Sequence, residues 1–441
     1  MQSLPAGSKV ISAGYSTRYM TNNIFYPFHQ NTDFWYLSGF NEPDAAMILE
    51  KDDSSRGYKQ TMFVLPKNPQ AELWDGPRTG IEGVKEIFGA DEAYNNARFP
   101  QYLKNALTTA EHVFLDSPIL TPSLLSDEKN KRLIDTGKAT MPRSWVKRVF
   151  GFCRGASNKN GRRLSLIEGG GNSVLVQELR AIKSPHEIEL MKTSGHISSK
   201  AFIEAMKWTK PGFSEAQLWA KLDYECRMRG SNILAYVPVV AGGPNALSLH
   251  YVRNDMTMRQ GDGDLVLVDC GGEYNGYASD ITRTWPVNGK FTKPQADLYQ
   301  VVLNTNKACI KMCTEKANRS LHDIHEESVK IMMKELHRIG FKVESWDLQR
   351  ILYPHHVGHY LGLDVHDLAD ITRSRKLKKN MVVTIEPGLY IPYDDRFPRE
   401  YQGIGIRIED NVVVGETDPY NLTATAPKEI VDIEFCCATN N

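Results

Sequence analysis

The sequence of 441 residues has no run of 18 or more apolar residues, so no segment is long enough to cross a membrane as a helix. It has no excess of one charge. Its 53 Lys and Arg balance 53 Asp and Glu, which argues against DNA or an acidic membrane as the main partner. The opening stretch, MQSLPAGSKVISAGYSTRYMTNN, lacks the apolar core of a secretory signal and is too poor in Arg for a clear transit peptide. It remains compatible with a presequence removed before this numbering begins. Cysteine is scarce: seven residues, an odd number at scattered positions, make no disulfide framework and point to a reducing compartment. There is no low-complexity tract.

What is present supports sizeable cores, with 41% apolar and 24% charged residues. A single core stops growing at roughly 250–300 residues, so two domains are expected. In the first, the short apolar runs Ala45–Glu50, Thr61–Leu65 and His112–Leu115 read as strands, and Pro100–Ala110 as a helix between them: an α/β domain. The stretch Arg154–Asn172, rich in Gly, Ser, Asn and basic residues, is the strongest break, and it divides the chain into 1–172 and 173–441. Beyond it the pattern becomes α+β. Ser184-Pro185-His186-Glu187 is a capping box opening a helix to about Thr209, and Ser214 with Gln217 opens a second that ends near Gly230. Helices are expected again over Pro294–Lys316 and Leu321–Ile339. Each helix pair precedes a β-rich stretch, so the architecture of this domain is duplicated within it.

Carboxylates occur where a core should not tolerate them. Leu265-Val266-Leu267-Val268 is a buried-strand run that ends in Asp269. Asn275-Gly276 predicts a type I′ hairpin turn, which places Asp269 opposite Thr282 and puts Asp280 and Thr282 on one face. Asp269 and Asp280 then project from that face as diagonal neighbours, unless a bulge at Gly271-Gly272 shifts the register. In the second half, Met381–Ile385 leads into Glu386, and Ile404–Ile408 leads into Glu409. Between the pairs, four of the twelve His fall at 355, 356, 359 and 366. A lone strand Asp is more often a hydrogen-bonded turn residue, but that does not account for four carboxylates and a His cluster in one domain. Oxygen-rich ligation with one imidazole suits Mn, Co or Zn, and four carboxylates neutralise two divalent ions, so a dinuclear site is expected.

The set VDCGGEYNGYASDITRTW, HHVGHYLGLDVHD, TIEPGLY and GIRIED, in that order, resembles the pita-bread metallopeptidases: aminopeptidase P, prolidase and methionine aminopeptidase. The stretch Phe28–Phe40 resembles the N-terminal domain of the aminopeptidase P branch, and Gly242-Gly243-Pro244-Asn245-Ala246 with His250-Tyr251 is similar to that branch as well. Within it the resemblance is strongest to the mitochondrial group, the Xaa-Pro aminopeptidase 3 of animals and the intermediate cleaving peptidase of fungi.

The resemblance implies an α/β N-terminal domain followed by an α+β pita-bread catalytic domain with internal pseudo-twofold duplication. It makes Asp269, Asp280, His359, Glu386 and Glu409 the ligands of two divalent ions, Mn²⁺ with Co²⁺ or Zn²⁺ as alternatives. His250, His355 and His366 become catalytic, Glu386 serves also as proton shuttle, and Tyr390 and Arg407 bind substrate; His356 is read as structural. The implied activity removes one N-terminal residue from peptides or proteins, trimming imported mitochondrial proteins after presequence cleavage. A proline-specific aminopeptidase, a prolidase and a non-catalytic peptide-binding module are the alternatives. The implied setting is a homodimer in mitochondria, in the matrix or at the inner membrane, with the cytoplasm as alternative; no nucleic acid partner and no integral membrane segment are expected. Trp74 matches a tryptophan of the family that can reach a neighbouring subunit, against the plainer expectation that it packs within its own domain.

Overall fold

The structure, a computed structural model, describes residues 1–115, 172–258 and 263–438. The chain forms two compact units, Met1–Leu179 and Arg180–Asn441. The break expected over Arg154–Asn172 lies outside the described residues except for Asn172, and the boundary expected at 172/173 falls at the start of the helix over Asn172–Ala181.

The first unit is built on a five-stranded sheet, with β1 (Ser8–Ala13) beside β4 (Ala46–Lys51) and then β5 (Tyr58–Val64) on one side. These pairings are antiparallel, and parallel edge strands β6 (Glu92–Asn95) and β7 (His112–Leu115) close the two sides. A separate hairpin joins β2 (Tyr19–Thr21) to β3 (Ile24–Phe25). Alternation along the strands feeds two cores. Ile11, Ala46, Ile48 and Phe63 pack with α4 (Phe99–Thr109), while Val10, Met47, Met62 and Val64 pack with α1 (Thr32–Ser38) and α3 (Gly80–Phe88). Both faces are covered, which is why these strands read as near-continuous apolar runs. Helix α2 (Pro69–Asp75) has no buried residue.

Helix α5 (Asn172–Ala181) crosses the division between the units. In the second unit, α6 (Pro185–Trp208) and α7 (Glu215–Met228) begin at Ser184 and Ser214, each with both hydrogen bonds of the capping box formed. Such caps stabilise a helix by about 0.5–2 kcal/mol. After β8 (Ile233–Leu234), the strands β9 (Val239–Gly242), β10 (Leu265–Cys270) and β13 (Ile281–Pro286) make one sheet in the order β13-β10-β9. β11 (Gly272–Tyr274) and β12 (Tyr277–Ala278) carry the hairpin to its turn, where Asn275 and Gly276 both have positive φ, at 47° and 84°, as type I′ requires.

The second half repeats the order. Helices α8 (Lys293–Ile310) and α9 (Leu321–Arg338) pack on each other and precede β14 (Val382–Ile385), β15 (Gly388–Tyr390), β16 (Gly405–Arg407) and β17 (Asp410–Val413), followed by β18 (Tyr420–Asn421) and α10 (Ile430–Ala438). The helix expected over 294–316 stops at 310. Beyond it the Glu315 and Lys316 amides bond to the carbonyls of Gly415 and Glu416, so strand-like pairing replaces the last turns. Among the described residues, no helix is long and apolar enough to cross a membrane.

Candidate metal centre

Strand pairing brings the first two carboxylates together. Asp269 lies opposite Thr282 and Cys270 opposite Ile281; Glu273↔Ala278 continues the same register, so Gly271-Gly272 introduces no slip. The second pair arrives from the other half of the unit. Glu386 follows β14, and the segment 357–361 runs alongside that strand through the bonds Glu386 N to Val357 O, Thr384 N to His359 O and Leu361 N to Val382 O. Gly358 permits this approach, since a Cβ there would collide with the Thr384 carbonyl. Glu409 stands between β16 and β17, and its amide donates to Thr282 O across 3.0 Å, joining the two halves.

Asp280, His359 and Glu409 converge, each offering a ligand atom within 4.8 Å of the other two, and all three are buried. His359 Nε2 is 3.4 Å from Asp280 Oδ2 and 3.5 Å from Glu386 Oε1. Asp269 joins through a shared phenol: the Tyr236 hydroxyl is 2.5 Å from one oxygen of Asp269 and 2.5 Å from one of Asp280. A phenol has one proton for these two carboxylates. Burial and the surrounding acids push Tyr236 well above its ordinary value, so it stays a donor. The five side chains expected from the sequence are thus neighbours, Asp280, His359 and Glu409 buried and Asp269 and Glu386 half-buried beside them.

Left to itself the cluster is electrostatically unfavourable. Burial, together with the Asp280 charge, raises Asp269 to about 6, although Arg407 Nη2 donates to it at 2.7 Å. Burial raises Glu386 to about 7 and lifts Glu409 well above the carboxylate range. His359 goes the other way: burial opposes its charge, but Asp280 and Glu386 outweigh that and raise it to about 9. Glu409 receives Thr282 Oγ1 at 2.7 Å on one oxygen, while its other, Oε1, is buried without a hydrogen-bond partner. An orphaned carboxylate oxygen beside three more acids fits a divalent cation pair, which would satisfy the lone pairs and remove the repulsion.

The imidazoles are pre-set. His355, His356 and His359 each place Nδ1 within 2.9–3.0 Å of a carbonyl one or two residues ahead, at His356, Gly358 and Tyr360. Each Nδ1 therefore carries a proton, which leaves Nε2 of His359 facing Asp280 and Glu386 as the atom that a metal would take in place of the proton it holds there. His355 Nε2 meets the Tyr390 hydroxyl at 3.0 Å, which in turn takes Arg407 Nη1 at 2.8 Å. Burial, with Arg407 nearby, lowers His355 to about 3, so this imidazole is neutral. His366 packs edge-on to His359 with ring centroids 4.5 Å apart, and His250 acts on it electrostatically; both are solvent-exposed. His356 is stacked on His325 at 4.6 Å, away from the carboxylates in its contacts.

The structure adds residues that the motifs did not single out. Tyr236 bridges the two Asp. Asn411 holds the backbone of Asp280 through both its carbonyl oxygen and its amide nitrogen. Thr282, which alternation puts on the Asp280 face, bonds both Glu409 and Arg407 Nε. Asp410, next to Glu409, is no part of the cluster: it pairs with fully buried Arg283 at 2.8 Å and with Lys428 at 2.6 Å. Trp74 corrects the plainer expectation. On α2 it is 81% exposed, next to Leu73 at 79%, and packs into no core.

Comparison with known proteins gives two family matches: metallopeptidase family M24 over residues 189–416, and the aminopeptidase P N-terminal domain over residues 1–114. The chain is 42% identical over 436 residues to intermediate cleaving peptidase 55 of Saccharomyces cerevisiae, covering 98% of this chain and 81% of that one. The crystal structure of Icp55 from that yeast, lacking its N-terminal 58 residues, superposes with a TM-score of 0.82 at 41% identity, covering 100% of this chain and 95% of that one. Xaa-Pro aminopeptidase 3 of Mus musculus is 41% identical, over 97% of this chain and 80% of its own. Intermediate cleaving peptidase 55, mitochondrial, of Arabidopsis thaliana is 36% identical, over 98% and 79%.

Proposed function

The chain belongs to metallopeptidase family M24 and carries an aminopeptidase P N-terminal domain, and from that premise we propose that it is an intermediate cleaving peptidase, removing one N-terminal residue from imported mitochondrial proteins after presequence cleavage. The fold is the α/β unit followed by the α+β pita-bread unit that the sequence led one to expect, and the activity is that of a metal-dependent aminopeptidase. The observation that carries the reading is the convergence of buried Asp280, His359 and Glu409, with half-buried Asp269 and Glu386 beside them and Glu409 Oε1 left unpartnered. An intact ligand set of this kind speaks against a peptide-binding module without catalysis.

In this reading Asp269, Asp280, His359, Glu386 and Glu409 hold two divalent ions, with Mn²⁺ as the native metal and Co²⁺ or Zn²⁺ also accepted. Bound there, such a pair supplies Lewis-acid polarisation and a water acidified toward neutral pH. The remaining work falls to the chain. Glu386 is suited to pass a proton at its carboxylate to the departing amine. Asp269 lies where the free α-amine of a substrate finds a negative charge, which limits cleavage to the first bond. His366 and His250 are exposed imidazoles that donate to the carbonyl oxygen and contact the scissile amide, respectively. Neutral His355, with Tyr390 and Arg407, forms a fixed wall behind Glu386, whose carboxylate lies 3.9 Å from His355 Nδ1. We propose 172/173 as the division of the N-terminal domain from the catalytic domain, seven residues ahead of the point where the two compact units divide.

The chain works as a homodimer in this proposal, with exposed Leu73 and Trp74 supporting a contact made by the first unit. Its location is the mitochondrion, in the matrix or against the inner membrane, as the name of the Arabidopsis relative suggests. The test is mass spectrometry of peptides incubated with purified protein and Mn²⁺, pairing Xaa-Pro and Tyr-Xaa N-termini on one common sequence. Loss of Tyr without a following proline is the expected result. Loss confined to Xaa-Pro peptides would refute the processing role in favour of a proline-specific aminopeptidase.

A further inference from the structure

A second set of buried charges lies beside the metal centre, and the chemistry above makes no use of it. The Asp367 side chain is fully buried, and its two oxygens are taken by separate cations: Arg180 Nη2 on Oδ1, and Lys183 Nζ at 2.9 Å on Oδ2. Arg180 Nη2 also reaches Asp364 at 2.8 Å. Burial opposes the charge of Asp367, yet Lys183 and Arg180 hold its carboxyl below the ordinary value. Both cations come from the first residues of the catalytic unit, and the Lys183 amide is tied to Asn380 O at 2.9 Å, just ahead of β14.

The position of Asp367 in the chain gives the cluster its reach. It follows His366 directly, so fixing its side chain fixes the backbone that aims that imidazole. Its own amide donates to the Tyr360 carbonyl at 3.0 Å, the same oxygen that receives His359 Nδ1 at 2.9 Å. One carbonyl therefore links the ion cluster to the tautomer and ring orientation of His359. The intervening turn is packed to its limit: a Cβ on Gly362 would collide with Asp367 Oδ2 and sit 3.0 Å from Lys183 Nζ. Gly362 O meanwhile accepts from the Ala278 amide, two residues before Asp280.

We propose that Asp367, clamped by Arg180 and Lys183, is the positioning residue that orients both His359 and His366. Arg180 and Lys183 are thereby part of the apparatus of the site although neither touches substrate or metal. The inference rests on the assignment of His359 as a metal ligand made above. Buried charged triads can also be purely structural, so the test needs readouts that a structural role leaves unmoved.

The experiment compares full-length Asp367→Asn, Lys183→Met and Lys183→Arg with the unaltered protein. It measures Mn²⁺ affinity by calorimetry after chelator treatment, along with kcat, KM and circular dichroism. Loss of such an outer partner costs about 10–100-fold in metal affinity or activity, and that is expected for kcat and Mn²⁺ binding in Asp367→Asn, with KM changed less than about threefold. Lys183→Met keeps Arg180 on Asp367 and guards against a failure of the first variant to fold; about a threefold to tenfold loss is expected, and recovery in Lys183→Arg. Folded variants with unaltered kcat and Mn²⁺ affinity would overturn the proposal, as would equal losses in Lys183→Met and Lys183→Arg. If the unaltered protein releases no N-terminal residue, the aminopeptidase reading fails, while the Mn²⁺ comparison still decides this one.

Discussion

Removing the metal should make the protein less stable as the pH rises. In the metal-free site Asp269 is raised from 3.8 to about 6, Glu386 from 4.5 to about 7, and Glu409 well above its ordinary 4.5. Each is an acid whose folded form keeps a proton that the unfolded chain has already lost. Full stability is present below about pH 4 and is lost as the pH climbs through the folded values. His359 acts in the same direction: raised from 6.5 to about 9, its stabilising charge is complete below 6.5 and lost by 9. Asp280, which is lowered, contributes the opposite slope only in acid, below the window considered. His355 and His356 act the other way: burial lowers them to about 3 and about 4, so below 6.5 the unfolded chain binds protons that the folded site refuses, and the two slopes largely cancel there. Above about pH 7 that opposition has gone, and the raised groups make stability fall by on the order of 1–3 kcal/mol per pH unit. For a unit of this size that corresponds to about 2–10 °C in Tm per pH unit. The assay is thermal unfolding in chelator across about pH 7–8, repeated with excess Mn²⁺, where binding displaces the protons and the fall should be abolished or reversed. A metal-free Tm that is level or rises over that range would refute the electrostatic account of the cluster.

Three substitutions probe separate parts of the centre. Glu386→Ala should abolish measurable turnover, a loss of at least about 10²–10⁴-fold for a proton-transfer group alone, with the circular dichroism spectrum retained; substantial residual activity would remove Glu386 from the site. Tyr236→Phe takes away the hydroxyl shared by Asp269 and Asp280 and should weaken Mn²⁺ binding by about 10–100-fold in calorimetric titration. Arg283→Met leaves Asp410 with Lys428 and the Thr423 hydroxyl and should cost about 3–5 kcal/mol in denaturant unfolding of the metal-free protein, because a fully buried pair is broken from one side.

The second unit was legible where local rules act alone. Ser184 and Ser214 announced their helices because a capping box is written within four residues, and Asn275-Gly276 set the register that carries Asp269 to Thr282. The five-residue cluster was legible because a carboxylate delivered by an apolar strand is costly to bury unless a cation meets it. What stayed hidden depends on contacts between distant segments. Nothing near Tyr236 shows that its hydroxyl will meet two aspartates from the next hairpin. Asn411 looks like an ordinary strand residue until its amide closes on Asp280. The helix expected over 294–316 ends at 310 because the competing partner of residues 315–316 lies about a hundred positions on, at Gly415 and Glu416. Asp367 stood at the end of HHVGHYLGLDVHD, yet only the fold brings Arg180 and Lys183 to it.

The spread of the cluster along the chain also governs when the protein can first become active. Its carriers run from Asp269 to Glu409, and the amide of Glu409 must find the Thr282 carbonyl before the last carboxylate is in place. A chain still emerging from a ribosome, or still threading through a membrane pore, holds the first pair of acids without the second and has no complete site. With the ligand set proposed above, acquisition of metal becomes a late event in maturation, and a chain that ends before Glu409 is expected to be silent as a peptidase. For an enzyme that trims other proteins' N-termini, this means that its activity reports the completion of its own folding.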